Sequence, residues 1–162
     1  MAVSRALVLD DDAHMRMLLG VLLRQDGVDS VAVSTAAEAT AALGGVERFA
    51  VALVDVDLQG DDGLDMVRAL RRDRVSRNWR IPVVVISGWG NPAVIQRARD
   101  AGADGFLLKP ITARALTDKI EAATRRRRAF IDAPDFCGPD RRVGENGDYP
   151  GPERRHGDAL YI

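Results

Sequence analysis

A single cysteine, Cys137, occurs in 162 residues. One thiol cannot build a disulfide framework or a cysteine-rich zinc cluster within one chain, and it is compatible with a reducing compartment. Only two histidines are present, His14 and His156, and both read as surface or structural residues. No apolar run approaches the roughly 18 residues that a membrane span requires. Met1-Ala2-Val3-Ser4-Arg5 passes straight into an apolar strand pattern, so no signal peptide is expected. Charge of one sign is also lacking: 23 Lys and Arg face 24 Asp and Glu, a formal net charge of −1. That balance argues against nucleic acid as a default partner. The expectation is a cytoplasmic protein that neither enters a membrane nor binds DNA directly. What is present in quantity is apolar side chain, 46% of the residues, enough to bury the core of one ordinary domain with an appendage.

Residues 1–128 alternate strand and helix patterns, and they are read as one domain. Ala6 to Leu9 is an apolar strand, followed by Met15, Leu18, Leu19 and Leu22 at helical spacing. Val28 to Val33 alternates weakly and reads as an edge strand. Thr35 and Glu38 have the spacing of a capping box, which opens an Ala-rich helix ending at Gly44-Gly45. Ala50 to Val54 and Ile81 to Ile86 are continuously apolar, as strands covered on both faces should be. Leu64, Val67 and Leu70 mark the helix between them. Asn91-Pro92 gives an N-cap and a first helical position, and that helix stops near Gly102. Gly105 to Leu108 is a short strand, and Thr112 caps a last helix with Leu116, Ile120 and Ala123 inward. Strict alternation of this kind implies α/β architecture: a parallel, doubly wound sheet with helices on both faces.

Polar residues stand where the strand patterns stop. Asp10-Asp11-Asp12 follows the first strand, Asp55 the third, Ser87 the fourth and Lys109-Pro110 the fifth. Ligands of open parallel sheets bind outside the carboxyl ends of the strands, so these groups share one crevice. Gathered carboxylates repel, and they call for a hard cation with oxygen ligands; Mg²⁺ fits best, being usually held by a few carboxylates plus phosphate oxygens and water. A calcium loop is the sharpest rival, since Asp55-x-Asp57-x-Gln59-Gly60 imitates the start of one. Met66, however, occupies the twelfth position, where a bidentate Glu is needed, and the stretch follows a strand. A hydrolase using Asp55 and Asp57 would want a substrate-specific cap, and none is recognisable.

Taken together, Val8-Leu9-Asp10-Asp11-Asp12, Leu53-Val54-Asp55, Gly60-x-Asp62-Gly63, Ile86-Ser87-Gly88 and Phe106-Leu107-Leu108-Lys109-Pro110 resemble the receiver domain of two-component response regulators. The resemblance covers about residues 4–127. It implies a flavodoxin-like (βα)5 fold with strand order 2-1-3-4-5. It also implies roles. Asp55 resembles the phosphoacceptor, a carboxylate nucleophile taking a phosphoryl group from a kinase phosphohistidine. Asp11 and Asp55 resemble direct Mg²⁺ ligands, with Asp10 acting through water and the backbone carbonyl of Asp57 completing the protein's share. Lys109 would supply positive charge to the transferred oxygens. Ser87 resembles the switch hydroxyl and Phe106 the aromatic switch. No enzyme activity is implied beyond self-phosphorylation and autodephosphorylation. Four departures from the family pattern stand beside the pocket: Ser87 where Thr is commoner, Gln59 where Pro is common, the extra carboxyl of Asp57, and Trp89.

After Arg128 the composition changes. Residues 129–162 hold four Arg, seven Asp or Glu and four prolines, and are expected to form an irregular, non-globular tail. They contain a repeat of the form aromatic-x-Gly-Pro-acid-Arg-Arg, at 136–142 and at 149–155. Phe136 and Tyr149 are the candidate anchors for docking on a partner or a neighbouring subunit, and Arg141, Arg142, Arg154 and Arg155 the candidate carboxylate forks. Arg125 to Arg128 reads as a solvated helix end. The resulting expectation is a single-domain response regulator, phosphorylated by a sensor histidine kinase or a histidine phosphotransfer protein. It would signal to an unknown output protein by contact, with a homodimer possible. A phosphate shuttle and a non-cycling scaffold are the alternatives.

Overall fold

In a computed structural model of the chain, residues 4–125 and 128–140 are described. The chain runs β1 (Arg5–Leu9), α1 (Ala13–Gln25), β2 (Asp29–Val33), α2 (Ala36–Gly44) and β3 (Val51–Asp55). A small ribbon follows, β4 (Asp57–Leu58) and β5 (Asp61–Asp62), and then α3 (Gly63–Arg72). The domain continues with β6 (Val83–Ser87), α4 (Pro92–Ala101), β7 (Gly105–Leu108) and α5 (Ala113–Arg125). The main sheet is parallel, in the order β2-β1-β3-β6-β7. With the two-residue strands set aside, this is the expected 2-1-3-4-5.

Alternate side chains of the central strands enter two cores, as the pleat requires. Leu7, Leu9, Ala52, Val54, Val83 and Val85 pack toward α2, α3 and α4. Ala6, Val8, Leu53, Val84 and Ile86 pack toward Leu19 and Leu23 of α1 and Leu116 and Ala123 of α5. Helix ends follow the sequence signals. Thr35 and Glu38 form the reciprocal capping box of α2, Asn91 caps α4 with Pro92 behind it, and Gly102 ends α4 in the left-handed region.

Registers bring the strand ends level. Leu9 lies opposite Val54, Asp55 opposite Ile86, and Ser87 opposite Leu108. Asp10, Asp55, Ser87 and Lys109 therefore emerge at one edge.

The expectation of an irregular segment is corrected for residues 130–139; residues 141–162 lie outside the described residues. Phe130–Ala133 (β8) and Phe136–Pro139 (β9) form an antiparallel hairpin that packs on α3 and α4 of the same chain. Composition rules out a core inside this segment, but the hairpin borrows one from the domain. Phe136 is 7% exposed, so it is spent on its own chain and is not offered to a partner. Phe130 meets Trp79 edge-on, with ring centroids 5.3 Å apart at 85°. The guanidinium groups of Arg74 and Arg80 lie over the Trp79 ring at 4.4 and 4.2 Å, and Arg74 is ion-paired with Asp132. Beneath them Arg71, 1% exposed, donates to the carbonyls of Gly102 (2.9 Å), Trp79 (2.8 Å) and Ile81 (2.8 Å) and pairs with Asp104 at 2.9 Å. Arg128 is not a solvated helix end; it donates to the carbonyls of Asp104 (2.8 Å) and Asp140 (3.1 Å). Arg141, Arg142, Tyr149, Arg154 and Arg155 lie outside the described residues.

The contact is closest where two glycines meet. A Cβ on Gly138 would lie 2.6 Å from the Cα of Gly102, which is backbone and cannot swing away. Cys137, next to it, donates its thiol to the carbonyl of Arg71 at 2.8 Å, and burial pushes that thiol's pKa up. Gly138→Ala should therefore lift the hairpin, lower stability by about 1–3 kcal/mol, and speed alkylation of Cys137 at pH 8. Thermal melting and thiol labelling check both; unchanged values for both would show that the hairpin bears no load.

Candidate functional site

The crevice is assembled from strand ends that each end in a polar turn. Asp10 and Asp55 are 1% and 3% exposed, and Ser87 is fully buried. Turn backbone amides fix the three side chains: Asp12 N–H donates to Asp10 Oδ1 at 2.8 Å, Asp57 N–H to Asp55 Oδ1 at 3.2 Å, and Trp89 N–H to Ser87 Oγ at 3.0 Å. Asp11 is tied across the crevice by the Gln59 N–H, 3.2 Å from its Oδ2. The turn after Asp55 closes tightly. A Cβ on Gly63 would lie 1.8 Å from the Asp55 carbonyl oxygen, so only glycine lets α3 start so close to the acid. Asp62 caps that helix by accepting from Leu64 N–H, and it is ion-paired with Arg97.

Lys109 closes the arrangement. Its ammonium lies 2.7 Å from Asp55 Oδ2 and 3.1 Å from Asp10 Oδ2. Lys109 N–H also donates to the Ser87 carbonyl at 2.9 Å, which locks the lysine to the hydroxyl-bearing strand end. Burial alone would lower the Lys109 pKa, but the hydrogen bonds and charges of Asp55 and Asp10 together carry it upward. Asp10 moves the other way from an ordinary ion-paired acid. Burial pushes its pKa up, assisted by the negative charge of Asp55, against the pull of the Asp12 amide and Lys109.

One oxygen each from Asp10, Asp11 and Asp55 lie within 4.8 Å of one another. The donor set is oxygen only, which suits a hard divalent cation and not a soft one. The residues therefore fit Mg²⁺, with Asp10, Asp11 and Asp55 able to hold it. The Asp57 side chain is exposed, and its carboxylate is not part of this group. Trp89 is 68% exposed, and a Cβ on Gly88 would meet open space. Phe106 is partly buried against the α2–α3–α4 core, on the strand that carries Lys109.

Sequence reasoning brought Asp10, Asp11, Asp55, Ser87 and Lys109 to one place, and the structure puts them there. It missed Arg16. This α1 residue turns back to donate to the carbonyls of Asp10 (2.8 Å) and Asp11 (3.0 Å), holding the acidic turn from behind. Its only sequence signal is a position one helical turn past the acidic run.

This structure is a doubly wound α/β domain with an acidic, lysine-closed crevice of oxygen donors at its strand ends. The sequence profile of the response regulator receiver domain matches residues 6–121, and the chain belongs to that family, whose members act in two-component signal transduction. Over 122 residues it is 30% identical to the transcriptional regulatory protein PdtaR of Mycobacterium tuberculosis, covering 75% of this chain and 57% of that protein. The chain thus spans little more than half the length of such curated relatives. A CheY-like receiver domain protein from Methanospirillum hungatei superposes with a TM-score of 0.69 at 24% identity, over 77% of this chain and 96% of that one, which shows the fold. A response regulator from Burkholderia pseudomallei, described with a phosphorylated aspartic acid, a calcium ion and citrate, superposes with a TM-score of 0.64 at 26% identity, over 75% of this chain and 66% of that one.

Metal-free protein should carry the electrostatic conflict as measurable instability. A carboxyl with a raised folded pKa favours the fold while protonated, and that contribution is lost as pH rises through the folded value. Without Mg²⁺, Asp10→Asn should therefore stabilise the protein at pH 7, with the advantage shrinking as pH falls toward the ordinary carboxylate range. Lys109→Ala should do the reverse, costing about 2 kcal/mol once exposure of the lysine is discounted, and should enlarge the melting-temperature gain on adding Mg²⁺. Melting curves with EDTA and with Mg²⁺ check the pair; changes of equal sign for both variants would contradict this charge balance.

Proposed function

We propose that the chain accepts a phosphoryl group on Asp55 from a phosphohistidine, carried by a sensor histidine kinase or a histidine phosphotransfer protein. The carboxylate–ammonium contact between Asp55 and Lys109 is the observation that carries this reading. A bond forms between an Asp55 carboxylate oxygen and phosphorus, the nitrogen–phosphorus bond breaks, and the imidazole keeps that electron pair. Asp55 is nearly buried and pinned by the Asp57 amide, so one oxygen stays oriented for attack. Lys109 meets the charge that arrives on the phosphoryl oxygens. A bound Mg²⁺ would neutralise part of that charge as a Lewis acid. Ser87 Oγ then offers a donor to the new phosphoryl group, and the shared backbone link to Lys109 passes the shift into β7 and Phe106.

The donor has a surface to meet. Met17, Leu18 and Val21 are exposed apolar residues on α1, the helix that starts at the acidic turn. This stripe suits docking of an apolar helical partner beside the pocket. Output by protein contact, in the cytoplasm, is the reading that follows for the rest of the surface, and a near-neutral charge gives no support to direct DNA binding. A second copy of the chain is one possible contact, and residues 141–162 remain candidates for partner docking. Passage of the group onward to a histidine phosphotransfer protein is the alternative; rapid reverse transfer would favour it. The full chemistry proposed is phosphoryl uptake and autodephosphorylation, with no other enzyme activity.

Incubation with acetyl phosphate and Mg²⁺ should add one phosphoryl group, and Asp55→Asn should reduce it to background. Ser87→Ala should still be labelled, but should lose most of the phosphorylation-dependent change in amide exchange over residues 87–110. Undiminished labelling of the Asp55→Asn protein would move the phosphoacceptor elsewhere.

A further inference from the structure

The cradle between α3 and α4 is filled by the first copy of a motif that the chain carries twice. Aligned in sequence at an offset of 13, the copies agree over more than the aromatic-to-Arg stretch. Asp132 corresponds to Glu145, Asp135 to Asp148, Phe136 to Tyr149, Gly138 to Gly151, Pro139 to Pro152 and Asp140 to Glu153, all at one offset. The turn of the hairpin, Pro134-Asp135, corresponds to Gly147-Asp148, itself a two-residue hairpin-turn signal.

Three features that the cradle reads are present in both copies. It takes an acid against Arg74, as Asp132 provides, and a buried aromatic, as Phe136 provides. It also takes a residue without a side chain against Gly102, as Gly138 provides. We propose that residues 145–152 are a second occupant of this cradle, docking within the same chain in place of residues 132–139. Twenty-two residues follow Asp140 in the sequence. The offset between the copies supplies roughly 40 Å of extended chain, against a hairpin only about 13 Å long, so the second copy reaches back easily.

The second copy is the weaker occupant, and its residues say why. Pro150 stands where Cys137 donates its thiol to the Arg71 carbonyl, and proline offers neither a thiol nor an N–H. Val143 stands where Phe130 meets Trp79. Tyr149 brings a hydroxyl into a space that Phe136 fills with carbon. Both copies sit on one chain, so their competition depends on the difference in docking strength and not on protein concentration. Exchange changes which aromatic is buried and which Arg-Arg pair is left for a partner.

The test uses the full chain. Tyr149→Ala alone should leave the melting temperature unchanged, because the first copy holds the cradle. Phe136→Ala should lower it. In the Phe136→Ala background, Tyr149→Ala should lower it by about 3 °C more, at any protein concentration. Independently, Pro150→Ala with the first copy intact should strengthen the competitor and raise the rate of Cys137 alkylation severalfold. The proposal fails if Tyr149→Ala adds nothing to Phe136→Ala and Pro150→Ala leaves the alkylation rate unchanged. It fails equally if the added loss scales with protein concentration, which would make a second molecule the occupant.

Discussion

Two carboxylates at the end of a buried parallel sheet cannot both be charged there without a cation, and this constraint organises the domain. Asp10 and Asp55 have almost no access to water, and Lys109 reaches both from the end of β7. At such separations the Coulomb energy in a partly buried site is several kcal/mol, of the order of the desolvation cost it offsets. The balance is incomplete, since Asp10 remains harder to ionise than an ordinary carboxyl. A site left short of positive charge is one that gains from a divalent cation, and in the function proposed Asp55 already faces the ammonium that would meet a phosphoryl group. Binding and chemistry thus draw on the same deficit.

The surrounding structure keeps that deficit from relaxing. The acids could turn to solvent if their loops were loose, but each loop is fixed from outside the pocket. Arg16 holds the carbonyls behind Asp10 and Asp11, the Gln59 amide holds Asp11, and Gly63 lets α3 press against the Asp55 carbonyl. None of these groups has a part in the transfer proposed for Asp55. They set where the carboxylates stand, which is the part of the rate that positioning controls.

Nearly all of the central fold was legible because it is written in local and periodic terms. Continuous apolar strands, a capping box at Thr35 and Glu38, and Asn91-Pro92 at a helix start each report their own neighbourhood. The candidate site was legible for a related reason: polar residues interrupt apolar runs at strand ends, and topology alone brings strand ends together. What escaped was long-range and arginine-based. Arg71, Arg74, Arg80, Arg128 and Arg16 look like surface cations in sequence, because arginine is exposed by default. Here they satisfy carbonyls or stack on Trp79. The hairpin escaped on different grounds. Composition reports that the segment cannot bury a core of its own, yet residues 130–139 need only half a core when α3 and α4 supply the other half.

The hairpin and the acidic crevice lie at opposite ends of the sheet, and α4 connects them. That helix begins five residues after Ser87 and ends at Ala101, capped by Gly102 against Gly138 and the Arg71 fork. Ten residues of helix span about 15 Å and transmit displacement as a rigid rod. At its far end the rod is clamped by backbone-to-backbone contact, where no side chain can yield. Asp104, just beyond, is held by Arg71 and by the Val83 N–H at the start of the strand that carries Ser87. A displacement of α4 at its first turn would have to be taken up by tilting about that clamped end or at the hairpin contact.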